Sequence, residues 1–251
     1  MSTSTSPATS PIQPLPEQVR RAAMHAALGE PVRLAIVEDL VHSDRSPGEL
    51  AARFGLATNL LAHHLDVLAA AGLIERFTSS GDKRRRYVRL VFDAAAAVLG
   101  PSRAALADPA GGVLFVCSAN SARSQLAAAL WRARTGGQAG SAGTEPAEAV
   151  HPGAVAAAQR AGLDLSDAQP RLLAAGESAA VVITVCDRAH EELTPGPDWW
   201  HWSTPDPVDP LVHTEAGRPV ETGLDPFDLA LTQLDHRIRA IAHPSPMEEA
   251  S

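Results

Sequence analysis

Apolar residues recur at helical spacing over residues 16 to 41 (Val19, Ala22 and Ala26, then Val32, Leu34, Ile36, Val37, Leu40 and Val41). "LGEP" at 28 to 31 interrupts the pattern, which predicts two helices. A short third helix is expected over "SPGELAARFG", with Ser46 as N-cap, Pro47 at the first helical position and Gly55 as the stop. In "TNLLAHHLDVLAAAGLIERF", Leu61, Leu65 and Leu68 share one stripe and Gly72 ends the helix, so a fourth helix feeds a strand. The strand-like runs "LIERF" and "RRYVRL" flank "TSSGDK", a Ser/Gly/Asp turn, and predict a β-hairpin. From residue 112 strands alternate with helices. "GVLFVC" reads as a buried strand and "SARSQLAAALWRAR" as a helix with Leu126, Leu130 and Ala133 on one side. "GSAGTEP" reads as a strand leaving into a loop, "HPGAVAAAQRAGLDLS" as a helix, "AAVVITVC" as a strand and "PFDLALTQLDHRIRAIAH" as a last amphipathic helix.

Two fold classes follow. Two short helices at a tight turn with a hairpin after them make a winged helix-turn-helix, mostly α with a β-hairpin wing. The alternating half predicts an α/β three-layer architecture around a parallel sheet. The expected division is a tail over 1–15, the winged helix over 16–98, a Pro/Gly-containing linker over 99–111, the α/β domain over 112–243 and a tail over 244–251. The opening "MSTSTSPATSPIQPLPEQ" has neither a basic start nor an apolar run and reads as a disordered Ser/Thr/Pro tail rather than a signal peptide.

Composition narrows the function classes. With 45% hydrophobic and 20% charged residues the chain has the mix of a soluble globular protein, and no membrane span is expected. Two cysteines, Cys117 and Cys186, point to free thiols in a reducing cytoplasm. Charge divides unevenly: through Asp108 there are 12 Arg+Lys and 11 Asp+Glu, while the remainder carries 9 and 18. The acidic half is therefore a poor nucleic-acid binder. The first half concentrates Arg76, Lys83, Arg84, Arg85, Arg86 and Arg89 in its hairpin, where they can lie along DNA phosphates while the helix before them enters the major groove. Expected DNA contacts are Thr58, Asn59, His63, Lys83, Arg84, Arg85 and Arg86.

The sharpest chemistry lies in "VLFVCSANSARS", residues 113 to 124. A strand-to-helix loop gathers backbone N–H groups at the positive end of a helix dipole and binds a tetrahedral oxyanion. Ser118, Ala119, Asn120, Ser121, Ala122, Arg123 and Ser124 form this cradle. Arg123 adds a planar fork for two oxygens. Cys117 at its base is stabilised as a thiolate and becomes a nucleophile aimed at the anion's central atom. Ser124 can donate to the sulfur and Asn120 can brace the loop.

Two resemblances give these readings names. With His64-Leu65, Leu68 and Ala71-Gly72-Leu73, residues 16 to 95 resemble the ArsR/SmtB family of dimeric bacterial repressors, which implies operator DNA as partner and a homodimer through this domain, the helix after Phe92 supplying a dimerising element. Some relatives sense metals, but the family's sensory cysteines are absent here. Adjacent histidines on a helix face different ways, which makes His64 a packed residue and His63 a DNA-facing one; no metal site is expected.

Residues 112 to 243 resemble the low-molecular-weight protein tyrosine phosphatase superfamily through "VLFVCSANSARS", "SAGTEP" at 141 to 146, "HPGAVAAAQRAGLDLS", "PRLL" at 170 to 173, the strand ending in Cys186-Asp187, and "DP" at 206 to 207. The resemblance implies Asp206 as general acid, with Asp209 a decoy. It implies either phosphatase or arsenate reductase activity. Val208 stands where phosphatases carry a tyrosine, and Cys186 stands where thioredoxin-coupled reductases keep a resolving cysteine, so arsenate reduction is favoured. The third cysteine of those reductases is missing, and Ala119, Ala122 and Ala128 replace family residues. No bound cofactor is expected. The reductant would be an external thiol system: thioredoxin, mycothiol with mycoredoxin, or glutathione with glutaredoxin. A phosphatase, or an idle oxyanion sensor that modulates DNA affinity, remain alternatives.

Overall fold

The computed structural model describes residues 15–99, 112–177, 179–193, 196, 199–209, 214–215, 218–219 and 225–241. The expected tails, save Leu15, 242 and 243 at the end of the α/β domain, and the linker beyond Leu99 lie outside the described residues.

The first half folds as helices α1 (Pro16–Leu28), α2 (Pro31–His42), α3 (Pro47–Phe54) and α4 (Thr58–Ala70), hairpin strands β1 (Ile74–Thr78) and β2 (Arg86–Leu90), and α5 (Phe92–Leu99). Ser46 starts α3 through a reciprocal box: its hydroxyl accepts the Glu49 amide at 3.2 Å and the Glu49 carboxylate accepts the Ser46 amide at 2.7 Å. Gly55 ends α3 in the left-handed region, φ 61°. The α4 stripe Leu61, Leu65 and Leu68 is buried as the pattern requires. The hairpin pairs Ile74 with Leu90 through Thr78 with Arg86, so its turn runs over 79–85 and holds Lys83, Arg84 and Arg85 beyond the strands.

Two burial expectations are corrected. On α1 the inward residues are Met24, Ala27 and Leu28, while Val19, Ala22 and Ala26 face out, Val19 at 57% exposure. The helix turns its other face to α2, α4 and α5. In α6 the expected Leu126 and Leu130 are buried, together with Ala127 and Trp131, but Ala133, in the last turn, is exposed.

The second half runs β3 (Val113–Cys117), α6 (Arg123–Thr135), β4 (Ala139–Gly143), α7 (Pro152–Arg160), β5 (Val181–Thr184), α8 (Asp187–Leu193), β6 (Trp200–His201), a short antiparallel pair β7 (Thr214–Glu215) and β8 (Arg218–Pro219), and α9 (Pro226–Ile241). β3 to β6 form a four-stranded sheet ordered β4-β3-β5-β6, with every pairing parallel. From β3 the chain moves outward to β4, and from β5 it moves outward the other way to β6. The sheet therefore switches direction between β3 and β5, where such sheets open a crevice beyond their carboxyl ends. Cys117 ends β3, and Cys186 follows β5 by two residues. The topology sets the two thiols on either side of one crevice.

The halves are packed together. One apolar cluster runs from Met24 and Leu40 through Phe115, Trp131 and Trp202 to Ile238. At the seam the buried Asp44 carboxylate pairs with Arg237 of α9 at 2.5 Å and accepts the Ser203 amide at 2.8 Å. The Asp44 amide donates to the His201 carbonyl at 2.7 Å, and the Trp202 indole donates to the His42 carbonyl at 2.8 Å.

Candidate oxyanion site at the strand ends

The loop after β3 has its carbonyls turned outward by an adjoining segment. The amides of Thr144, Glu145, Ala147 and His151 donate to the carbonyls of Cys117, Ser118, Ala119 and Ser121 at 2.9 to 3.2 Å, and Gln125 Nε2 donates to the Asn120 carbonyl at 3.1 Å. With the acceptors satisfied from behind, the loop's N–H groups are left to face inward. The two segments lie so close that a Cβ at Gly143 would sit 2.9 Å from Asn120 Cβ and run into the Ser118 carbonyl oxygen, so glycine is required there. Asn120 takes a left-handed conformation, φ 47°, a region asparagine tolerates. Its side chain braces the loop, donating to Ser124 Oγ at 2.8 Å and accepting the Arg171 amide at 2.9 Å.

Cys117 Sγ lies at the base of this loop, buried, with the Asn120 amide donating to it at 3.2 Å and Ser124 Oγ 3.0 Å away, that oxygen already accepting Asn120 Nδ2 and so able to turn its proton to the sulfur. Two donors converging on one sulfur is the arrangement a thiolate nucleophile needs. Arg123 opens α6 and reaches across the cavity, its Nη1 donating to the Thr204 carbonyl at 3.0 Å and its Nη2 to Asp206 Oδ2 at 2.7 Å. Burial works against the Arg123 charge, but Cys186, Asp206 and Cys117 outweigh it and hold the guanidinium firmly protonated. Asp206 thus stands at the cradle. Asp209 lines the same cavity, yet the carboxylate on the arginine fork is that of Asp206.

Cys186 caps the first turn of α8, its sulfur accepting the Ala189 amide at 3.4 Å and lying 3.5 Å from Ser118 Oγ. Burial pushes its thiol pKa up, the Arg123 guanidinium pulls it back, and the neighbouring Cys117 adds to the rise. Both thiols are free and buried. Ser118, Ala119, Arg123, Cys186, Asp206 and Asp209 contribute to one cavity of about 680 Å³, whose lining includes no aromatic side chain among the described residues.

The DNA-facing expectations divide. Thr58, Asn59 and His63 are exposed on α4, while His64 is buried with its Nδ1 3.5 Å from Glu30. Lys83, Arg84 and Arg86 are exposed on the hairpin, and Arg86 binds Thr78 Oγ1. Arg85, also exposed, lines the oxyanion cavity. Sequence reasoning missed α8 and its carboxylates. Asp187 Oδ1 takes His201 Nε2 at 3.0 Å, and Glu191 takes the Tyr87 hydroxyl at 3.3 Å. Burial alone would raise the Asp187 pKa, but the bonds from His201, Ser203 and Ser80 hold it far below the usual carboxylate range. The available signal was the i, i+4 spacing of Asp187 and Glu191 on a seven-residue amphipathic stretch.

Residues 112–198 match the family described as low molecular weight phosphotyrosine protein phosphatase, and residues 28–76 match the family described as helix-turn-helix domain. The chain joins a helix-turn-helix domain to a low molecular weight phosphatase-type domain. Among solved structures, an arsenate reductase from Archaeoglobus fulgidus is similar at 25% identity over 51% of this chain and 95% of its own, with a TM-score of 0.40. A thioredoxin-dependent arsenate reductase from Corynebacterium glutamicum is similar at 27% identity over 52% of this chain and 58% of its own (TM-score 0.37). A low molecular weight protein tyrosine phosphatase from T. tengcongensis is similar at 21% identity over 52% and 97% (TM-score 0.42). No curated protein matches the chain. Among the described residues of the two joined domains, no helix is long and apolar enough to cross a membrane, and no group of three or more His, Cys, Asp or Glu side chains is placed to hold a metal ion.

Proposed function

We propose that this chain is a DNA-binding regulator whose phosphatase-type domain reduces arsenate to arsenite. The observation that carries the reading is the second thiol: Cys186, buried in the wall of the oxyanion cavity, 3.5 Å from the hydroxyl of the residue that follows Cys117. A phosphatase needs one cysteine, whereas reduction of an oxyanion needs a second thiol to supply the electrons. The lining supports the same choice, since Val208 follows Asp206-Pro207 and is exposed, leaving no ring there to flank a phosphotyrosine.

In the proposed reaction the loop amides and the Arg123 fork hold the arsenate oxygens, and Arg123 exchanges its contact with Asp206 for the anion. The Cys117 thiolate forms an S–As bond as one As–O bond breaks, and Asp206 gives its proton to the departing oxygen, which leaves as water. The Cys186 thiolate then attacks Cys117 Sγ. An S–S bond forms, and the S–As bond breaks with its electron pair staying on arsenic, which departs as arsenite. An external dithiol or two monothiols return the disulfide to two thiols, from thioredoxin, mycothiol with mycoredoxin, or glutathione with glutaredoxin. In a variant of the arsenite-releasing step a small thiol attacks Cys117 Sγ in place of Cys186, forming a mixed disulfide as the S–As bond breaks with its electron pair on arsenic, and a second thiol then frees Cys117.

DNA binding is assigned to α4 and the hairpin, with operator duplex as partner. A homodimer through the first domain suits the apolar face left on α1, where Leu15 and Val19 are 64% and 57% exposed. Sedimentation of Val19→Glu should then show monomer where the wild type sediments as dimer.

The enzymatic reading is tested by steady-state arsenite production with each thiol system, alongside p-nitrophenyl phosphate hydrolysis. Arsenite formation lost in both Cys117→Ser and Cys186→Ser supports it. Fast aryl phosphate turnover, unaffected by Cys186→Ser and without arsenite, would replace it by a phosphatase.

A further inference from the structure

The hairpin expected to lie on DNA is fastened over the oxyanion cavity. Its turn is gripped by α8, the helix that begins beside Cys186. Asp187 Oδ2 accepts the amide and the hydroxyl of Ser80 at 2.6 and 2.9 Å. Glu191 accepts the Ser79 hydroxyl and the Asp82 amide, both at 2.7 Å. The approach is close enough that a Cβ at Gly81 would fall 2.6 Å from Glu191 Oε2 and 3.1 Å from the Arg188 amide nitrogen, so a side chain there would push the Glu191 carboxylate aside. Ser80, Gly81, Asp82 and Arg85 thereby form a wall of the same cavity that Ser118, Arg123 and Cys186 line.

Charge singles out Arg85. Three guanidinium groups line the cavity. Arg123 is paired with Asp206, and Arg188 is paired with Glu145 and Glu192. Arg85 has no carboxylate partner among the described residues; its side chain bonds the Tyr87 hydroxyl. Asp82 and Glu191 stand on the same wall, Glu191 accepting that hydroxyl, but neither forms an ion pair with Arg85, and a guanidinium outside any ion pair at the wall of an anion cavity is available to an incoming anion.

We infer that Arg85 is a second anion-binding arginine, contributed by the DNA-binding domain, and that a tetrahedral oxyanion in the cavity and a DNA phosphate compete for it. The inference rests on reading the cavity as an oxyanion site. One guanidinium on a turn fixed by four hydrogen bonds serves one anion at a time. An oxyanion that engages Arg85 adds to the hold on the wing and withdraws it from the duplex; DNA that recruits the wing removes a wall of the cavity. The two ligands are linked, and linkage is reciprocal: each weakens the other by the same factor. The oxyanion itself is then the signal that releases DNA, with no chemistry at Cys117 required.

The test uses the full chain, a duplex from upstream of its own coding sequence, and orthophosphate as anion. Ionic strength is held constant with chloride, because DNA affinity falls with salt by itself. Saturating orthophosphate is expected to raise the Kd for DNA by about fivefold or more, the lower end of common allosteric couplings. Saturating DNA is expected to raise the calorimetric Kd for orthophosphate by the same factor. Arg85→Gln should bind orthophosphate more weakly and lose the coupling, while Arg84→Gln lowers DNA affinity and keeps the coupling. The inference is overturned if wild type binds orthophosphate with no change in its Kd for DNA, if Arg85→Gln retains the full coupling, or if the chain binds no DNA. Orthophosphate failing to bind wild type at all would instead remove the oxyanion reading of the cavity, and this inference with it.

Discussion

Asp187 takes two hydrogen bonds from Ser80 across 107 residues of chain, and through them the helix that starts beside Cys186 holds the hairpin of the other domain. The side chain is 1% exposed, so its removal leaves the half-buried Ser80 amide and the buried His201 ring without their partner. Asp187→Ala is expected to lower unfolding free energy by about 1–3 kcal/mol, the cost of stranding buried polar groups. Ser80→Ala, which keeps the amide bond, should cost less. Urea unfolding of the two variants checks the order, and equal stability of Asp187→Ala and wild type would contradict the contact.

The Asp44–Arg237 pair closes the seam between α2 and α9. Breaking one partner of a buried pair leaves an uncompensated charge, which costs roughly 3–5 kcal/mol. Arg237→Met should therefore destabilise the chain strongly, and more than Arg239→Met, whose ion pair with Asp235 is exposed on the arginine side. A smaller loss for Arg237→Met than for Arg239→Met in thermal unfolding would refute the assignment.

Acid should loosen this seam in two stages. Burial lowers the pKa of His190 and of His42, so the folded state favours the neutral rings and loses stability as pH falls below about 6.5, where the unfolded rings take up protons. Glu49 follows. Burial would raise its pKa, but the His190 ring 3.9 Å away and the bonds from Ser46 bring it down to about 2, so its contribution is present above the unfolded value near 4.5 and fades as pH falls toward 2. Unfolding free energies at pH 7.5, 5.5 and 4 should decrease in that order. A rise on acidification would reverse the assigned sign.

At the cradle, Arg123→Lys keeps the charge but loses the fork, and arsenate turnover is expected to fall by about a hundredfold or more. Asp206→Asn removes the proton donor while leaving an oxygen for Arg123, and kcat should fall by about 10²–10⁴ with the larger share in kcat rather than KM. Steady-state kinetics separate the two. Undiminished kcat in Asp206→Asn would move the acid's role to Asp209, which lines the same cavity.

Much of this was legible in the chain because the signals are local. The Ser46 capping box, the Leu61-Leu65-Leu68 stripe and the run from an apolar strand into Cys117 and Arg123 each span a few residues, and period and cap chemistry suffice to read them. Asp206 is legible only through the family resemblance that its Asp-Pro pair carries; its contact with Arg123 bridges 83 residues. The grip of Asp187 and Glu191 on the hairpin had only their i, i+4 spacing as a local sign, which ordinary solvated charges on a short helix share. The outward face of α1 was misread for a related reason: Val19, Ala22 and Ala26 keep helical period, but Met24, Ala27 and Leu28 on the opposite side meet the neighbouring helices.

The central claim is that Cys117 and Cys186 act as a pair on one oxyanion. Its most direct measurement is a single turnover of reduced full-length protein with arsenate and no added thiol, arsenite quantified against disulfide-linked peptides by mass spectrometry. The account predicts one arsenite per chain, one Cys117–Cys186 disulfide formed in step with it, and neither product in Cys117→Ser. Arsenite released without that disulfide, or no arsenite from the reduced wild type under any thiol supply, would contradict it.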